Sequence, residues 1–271
     1  MRRILIPTDF SDIAENALKY AIEIAAKFDG ELLLYHVYSM NKKLDYDWDF
    51  PEDEQPYVMD LERKMNNLKG KYKEEFKRKG ISIETKVEEH HIFTLFDTLV
   101  RKHEIDLIIM GSQGATGLEK VVFGSVAAQA LDLAKVPVIV APPLYEYQAI
   151  DKIVWATDLN SVSANTLAPM QELAVRFNAH LTILNINTGE SKKKSSHQIE
   201  SYLQNVETTY QEAPLSESIN QSINLFIKAM KCDLLCMIRR EKGFFESLFQ
   251  TSITKEQVYN TQTPFLVLPE A

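Results

Sequence analysis

The sequence predicts an α/β fold made of two tandem, doubly wound, parallel-sheet units of Rossmann-like type. Three observations predict it. Short β-rich runs alternate with amphipathic helical stretches along all 271 residues, the pattern of strand–helix–strand units. The central runs, such as Asp106-Leu-Ile-Ile-Met110, are continuously aliphatic, as strands are when both faces of a parallel sheet are covered. The whole pattern also occurs twice.

The repeat is read by offset. Arg3-Ile-Leu-Ile-Pro-Thr-Asp-Phe-Ser11 is answered by Lys152-Ile-Val-Trp-Ala-Thr-Asp-Leu-Asn160, an offset of 149 that also carries Leu32–Val37 onto Leu181–Ile186. Farther along, the offset is 127: Asp106–Met110 maps onto Asp233–Met237, and Pro137–Pro142 onto Pro264–Pro269. The 22-residue difference places an insertion in the first half, across residues 39–60. Domain limits of 1–143 and 151–271 follow, joined by the aperiodic linker Pro142-Pro-Leu-Tyr-Glu-Tyr-Gln-Ala149.

In the first half, strands are expected near 2–8, 31–38, 81–88, 105–110 and 136–141, with helices near 12–28, 58–79, 92–103 and 125–134. Ala14, Ala17, Leu18, Ala21, Ile22 and Ala25 show the three-four spacing of a packed helix face. Ser11, followed by Asp12, is an N-cap candidate. Asn41–Pro56, rich in acids and aromatics, reads as a surface loop or as a lid over a crevice.

Composition excludes several classes. A net charge of −8 argues against nucleic-acid affinity, which needs a basic face. Cys232 and Cys236 make no disulfide framework and read as buried free thiols. No apolar run reaches membrane-spanning length, and Met-Arg-Arg leads straight into a strand, so a cytoplasmic protein is expected.

The most informative stretch is residues 111–125, GSQGATGLEKVVFGS, which leaves the fourth strand directly. Gly-Ser-x-Gly followed by Gly-Ser at a helix start offers backbone N–H groups where no Cβ blocks approach. Clustered amides and the positive end of a helix suit a phosphate. The spacing is neither that of a P-loop nor that of the dinucleotide fingerprint. Asp9, at the end of the first strand, accepts hydrogen bonds from hydroxyl or amine groups and repels phosphate. It belongs either at a nucleoside end of the same crevice or in a helix-capping role.

On these residues the chain resembles the universal stress protein superfamily in its tandem form. The resemblance rests on Ile4-Leu-Ile-Pro-Thr-Asp9, His36-Val37, Met110-Gly111-Ser-Gln-Gly114 and Gly124-Ser125-Val126, the spacing of the family's ATP-binding branch. It implies an adenine nucleotide alpha hydrolase-like fold and an ATP site, with ADP or AMP as alternatives and Mg2+ admissible beside the phosphates. It also implies roles. Pro7, Thr8 and Asp9 lie where the family contacts adenine and ribose. Val37 lies where a strand-two backbone meets the base, and Met110 and Gly111 border the ribose. Gln113 and Gly114 line the phosphate loop, and Gly124, Ser125 and Val126 donate to the β- and γ-phosphates.

The second half departs from that pattern. Gly111 becomes Ile238, Gly114 becomes Glu241 and Gly124 becomes Thr251, with Ser125 alone matched, by Ser252. One functional nucleotide site per chain is therefore expected, in the first half. Arg239-Arg240 reads as a solvated pair, with attraction of an anion as the alternative, and Phe244, Phe245 and Phe249 as a cluster packing on the partner half or on their own core. His90-His91 alternate faces on a strand and make a poor metal pair. No catalytic nucleophile–base pair stands out.

Three functions compete. The first is a nucleotide-dependent stress-response regulator or interaction module with an unidentified protein partner and at most weak hydrolysis. The second is a slow ATPase or phosphotransferase, and the third a scaffold whose halves mimic a homodimer. The family commonly dimerises through its last strand, so the strands near 137–141 and 264–268 are the natural pairing edges.

Overall fold

The computed structural model describes residues 1–38, 55–89, 95–113, 124–143, 147–189, 199, 201–240 and 263–270. The first half runs β1 (Arg3–Pro7), α1 (Asp12–Phe28), β2 (Glu31–Tyr38), α2 (Gln55–Lys71), α3 (Lys73–Lys79), β3 (Ser82–Glu89), α4 (Leu95–Lys102), β4 (Leu107–Gly111), α5 (Ser125–Leu133) and β5 (Val138–Ala141). The second runs β6 (Lys152–Ala156), α6 (Ala164–Phe177), β7 (His180–Asn187), β8 (Thr208–Pro214), α7 (Ile219–Met230), β9 (Leu234–Arg239) and β10 (Phe265–Pro269). The extra residues of the first half fall between β2 and β3. The proposed loop or lid lies outside the described residues as far as residue 54, and its last two residues, Gln55 and Pro56, open α2 instead. The phenylalanine cluster lies outside the described residues.

The ten strands among the described residues form one sheet, in the order β3-β2-β1-β4-β5-β10-β9-β6-β7-β8. Every neighbouring pair is parallel except β5 and β10, which run antiparallel with Leu266 opposite Ile139. The offset of 127 carries Ile139 onto Leu266, so a pseudo-twofold axis passes through this pair. A reciprocal cation–π contact obeys the same axis. Lys27 lies 5.6 Å from the Phe177 ring centre, and Arg176 lies 5.6 Å from that of Phe28.

Successive residues of a strand face opposite sides, and the core follows that rule across both halves. Ile4 and Ile6 of β1 pack beneath α1 in one apolar layer that also holds Ile153 and Trp155 of β6. Leu5 and Val154 point the other way, into a layer built with α5 and α7. Each layer is continuous through the seam.

Local chemistry repeats with the same symmetry. Asp106 accepts the N–H groups of Arg2 and Arg3 at 2.7 and 3.0 Å, and Asp233 those of Asp151 and Lys152 at 3.0 and 2.8 Å. Asp29 and Asn178 end α1 and α6 in the left-handed region, at φ 50° and 52°, the conformation such C-caps require. The stretch expected as one helix, 58–79, is two. At the join the Tyr72 N–H turns to Lys69 O at 3.3 Å, and its ring is buried with the hydroxyl on Glu15. Gly70, a weak helix former, stands two residues earlier.

Candidate functional site

In each half the sheet order reverses direction at one place, between β1 and β4 and between β6 and β9. Open α/β sheets bind ligands outside the carboxyl ends of the strands at such switch points.

The first crevice is floored by strand ends. The Thr8 N–H continues the ladder to Tyr35 O at 2.9 Å, and Thr8 Oγ1 accepts the Phe10 N–H at 3.1 Å. Phe10 turns the chain in the left-handed region, at φ 65°. Asp9 Oδ1 accepts from the Ser11 N–H at 3.0 Å and hydroxyl at 2.6 Å, while Ser11 Oγ caps α1 through the Ala14 N–H at 3.2 Å. Asp9 thus has a structural duty in the entry to α1, and its exposed carboxylate also borders the crevice.

His36, at the end of β2 beside Val37, holds this corner together. Its Nδ1 lies 2.7 Å from Thr8 O, and its ring lies 4.5 Å from that of Phe10. Burial holds its pKa below the ordinary 6.5, against the opposing pull of the Thr8 carbonyl and Asp9.

Across the switch point, Met110 and Gly111 end β4. A Cβ on Gly111 would come within 2.6 Å of Ile13 Cγ2 and 3.1 Å of Ile13 O. The first turn of α1 therefore demands glycine here, whatever binds above it. Gln113 follows, and Gly114 lies outside the described residues. The Ser112 N–H bonds Ala141 O at 3.0 Å, and Ser112 O accepts the Gly124 N–H at 2.8 Å, which draws the start of α5 against the end of β4. Gly124 caps α5 without a side chain, and no acidic residue stands in its first turn. The amides of Ser125 and Val126 thus open the helix at its positive end.

The second crevice uses the same frame differently. Thr157 N–H bonds Leu184 O at 2.9 Å, and Thr157 Oγ1 accepts the Leu159 N–H at 3.1 Å, with Leu159 at φ 58°. Asn185 replaces His36 and donates to Thr157 O at 2.9 Å. Ile238, in the place of Gly111, is buried, and α6 starts at Ala164, three residues beyond Ser161, the counterpart of Asp12 at an offset of 149. Over the loop this leaves, the Arg240 guanidinium donates to Ser161 O, Asn160 O, Asp158 and Glu270 at 3.2 to 3.4 Å. Its neighbour Arg239 reaches into the first half, donating to Leu131 O at 2.7 Å and Ala134 O at 2.8 Å at the carboxyl end of α5. The expectation of a solvated arginine pair is overturned. Carbonyl oxygens claim both side chains.

Sequence reasoning missed His36 as an organiser and Arg239 as a tie between the halves. The duplicated His36/Asn185 position, polar in both copies of an aliphatic strand, was a readable signal for the first. Nothing local announces the second.

Fold and crevice together define a class, a doubly wound α/β protein in which a helix start without a side-chain cap lies against the end of a strand that closes on glycine. The model of the universal stress protein family matches residues 1–142, and the chain belongs to that family. Two universal stress proteins of Methanocaldococcus jannaschii are each 33% identical to it. One aligns over 141 residues, 51% of this chain and 81% of its own length. The other aligns over 153 residues, 51% of this chain and 93% of its own length. The crystal structure of a universal stress protein from Archaeoglobus fulgidus shares the fold over 99% of this chain and 96% of its own, with a TM-score of 0.72 at 17% identity. No described helix is long and apolar enough to cross a membrane.

Proposed function

We propose that this chain is a nucleotide-dependent regulator or interaction module that holds one adenine nucleotide, ATP foremost, in the crevice of its first half. The proposed domains are 1–143 and 151–271, with the second carrying no nucleotide phosphate. One observation carries the reading. α5 begins at a glycine with no side-chain cap and no acid in its first turn, held against the end of β4 by the 2.8 Å bond from Gly124 to Ser112. By contrast, Ser11, Ser163 and Ser218 cap α1, α6 and α7 with their side chains. An uncapped start facing a switch-point crevice suits an anion.

In this reading Ser125 and Val126 donate to the terminal phosphates, Gly124 borders them with its own N–H held by Ser112 O, and Gln113 and Gly114 line the loop. Pro7, Thr8, Asp9, Val37, Met110 and Gly111 surround the nucleoside. Mg2+ would arrive on the phosphates, since the described residues contain no cluster of three or more metal-ligating side chains. Occupancy would alter the binding surface only by the ligand's differential affinity for two conformations.

The test is to release nucleotide from the purified protein by denaturation, identify it by mass, and titrate ATP into the emptied chain. Saturable binding that Gly124→Val weakens by about tenfold or more supports the reading, because the added side chain keeps the phosphate from the helix start at a cost of order one charge-assisted hydrogen bond. A chain that binds no ATP at millimolar concentration refutes it and favours a nucleotide-independent scaffold. Hydrolysis that vanishes with Gly114→Val would add a slow ATPase activity.

A further inference from the structure

The second crevice lost its glycines without closing. Among the described residues a cavity of about 500 Å³ opens at the ends of β6, β7 and β9, within the range of small-molecule sites. Ala156, Leu184, Ile186, Ile223 and Met237 give it apolar walls, and Asp158, Asn185, Asn187, Glu212 and Arg240 give it polar ones. We propose that this cavity is a separate binding site for a phosphate-free, nucleoside-sized molecule that presents hydroxyl or amine donors.

Charge decides against an anion. Among the described residues Arg240 is the cation of the lining, and it is already paired with Asp158 at 3.3 Å and Glu270 at 3.4 Å. Glu212 adds a further carboxylate. It stands opposite Asn185 in the β7–β8 register, where the first half sets Val87 opposite His36. The second half has thus gained an acid in the wall of its crevice. The start of α6, the counterpart of α1, offers an anion no more than α1 does, because Ser163 Oγ caps it through the Thr166 N–H at 3.1 Å.

Acceptors suit donors. The Asp158 and Glu212 carboxylates accept from hydroxyl and amine groups, and Asn187 Nδ2 holds the Glu212 carboxylate in place. The amide nitrogen of Asn185 is committed to Thr157 O. A flat heterocycle against the apolar walls, with a diol toward the carboxylates, fits both the volume and the chemistry. This inference stands independently of nucleotide in the first half.

Methyl-resolved NMR of the full chain, labelled at Met and Ile, tests it with adenosine as the probe and AMP as its charged counterpart. Met237 and Ile223 report the second crevice, and Met110 the first. The expected result is a saturable shift at Met237 and Ile223 with adenosine, weaker by about fivefold or more with AMP because a like charge approaches the carboxylates. Asp158→Asn weakens it by about tenfold. Glu212→Val, which restores the residue type of the first half, serves as the second variant and narrows the difference between adenosine and AMP. Shifts confined to Met110, no shift at Met237, or AMP binding there as tightly as adenosine would overturn the proposal.

Discussion

The two crevices of this chain share a skeleton and differ in what covers it. Thr8 and Thr157 make the same turn, Phe10 and Leu159 take the same left-handed backbone, and Asp106 and Asp233 pin the same strand starts. Over that skeleton, the first half places Gly111 and Gln113, whereas the second sets Ile238 and Arg240 at the matching positions. Framework residues bond the sheet to itself and tolerate little change. Residues above the strand ends line the crevices and are free to diverge.

The comparison can be strained by variants, beginning with the largest expected effect. Gly111→Val should cost about 3 kcal/mol of folding stability in urea denaturation, because the added carbon meets the backbone of Ile13. Ile238→Val, at the matching place, should cost about 1 kcal/mol. Equal losses would mean that the two strand ends are packed alike.

Arg239→Met should cost about 2 kcal/mol, since it leaves two carbonyls at the end of α5 without their charged donor. Arg240→Met, more exposed and held by longer bonds, should cost less than about 1 kcal/mol. Thermal melts that rank the two variants the other way would remove the tie between halves.

Ser11→Ala and Ser163→Ala each delete an N-cap and should cost about 1 kcal/mol apiece. Their equality is the signature of a common frame.

The smallest effect is a pH dependence. The His36 pKa is lowered on folding, so the unfolded chain takes up its proton near 6.5 while the folded chain resists. Stability should be level above that pH and fall as pH drops from 6.5 through the lowered folded value. His103, also lowered by burial, adds in the same direction. His36→Asn, the choice made by Asn185 in the second half, should flatten part of the slope. An unchanged slope would dismiss His36 as its source.

Much of the fold was legible because its signals are local. Aliphatic runs mark buried strands, Ser11 marks a cap, and the offsets of 149 and 127 align the halves residue by residue. The break at Tyr72 was not legible, since a buried ring and a distant Glu15 partner produce it. Gly111 was legible as a glycine that must be one, yet phosphate approach and helix packing make the same demand on Cβ, and sequence alone cannot separate them. Arg239 was opaque for a plainer reason. Its partners Leu131 and Ala134 lie more than 100 residues away in the chain.

The antiparallel join of β5 to β10 has a consequence for how this molecule can change over generations. In an assembly of identical copies, one altered codon strikes both lobes, so an innovation in one pocket must be tolerated in the other. A covalent union removes that obligation. One lobe can keep its inherited pocket chemistry while its sibling drifts toward another, and the hydrogen-bonded seam keeps them in register throughout.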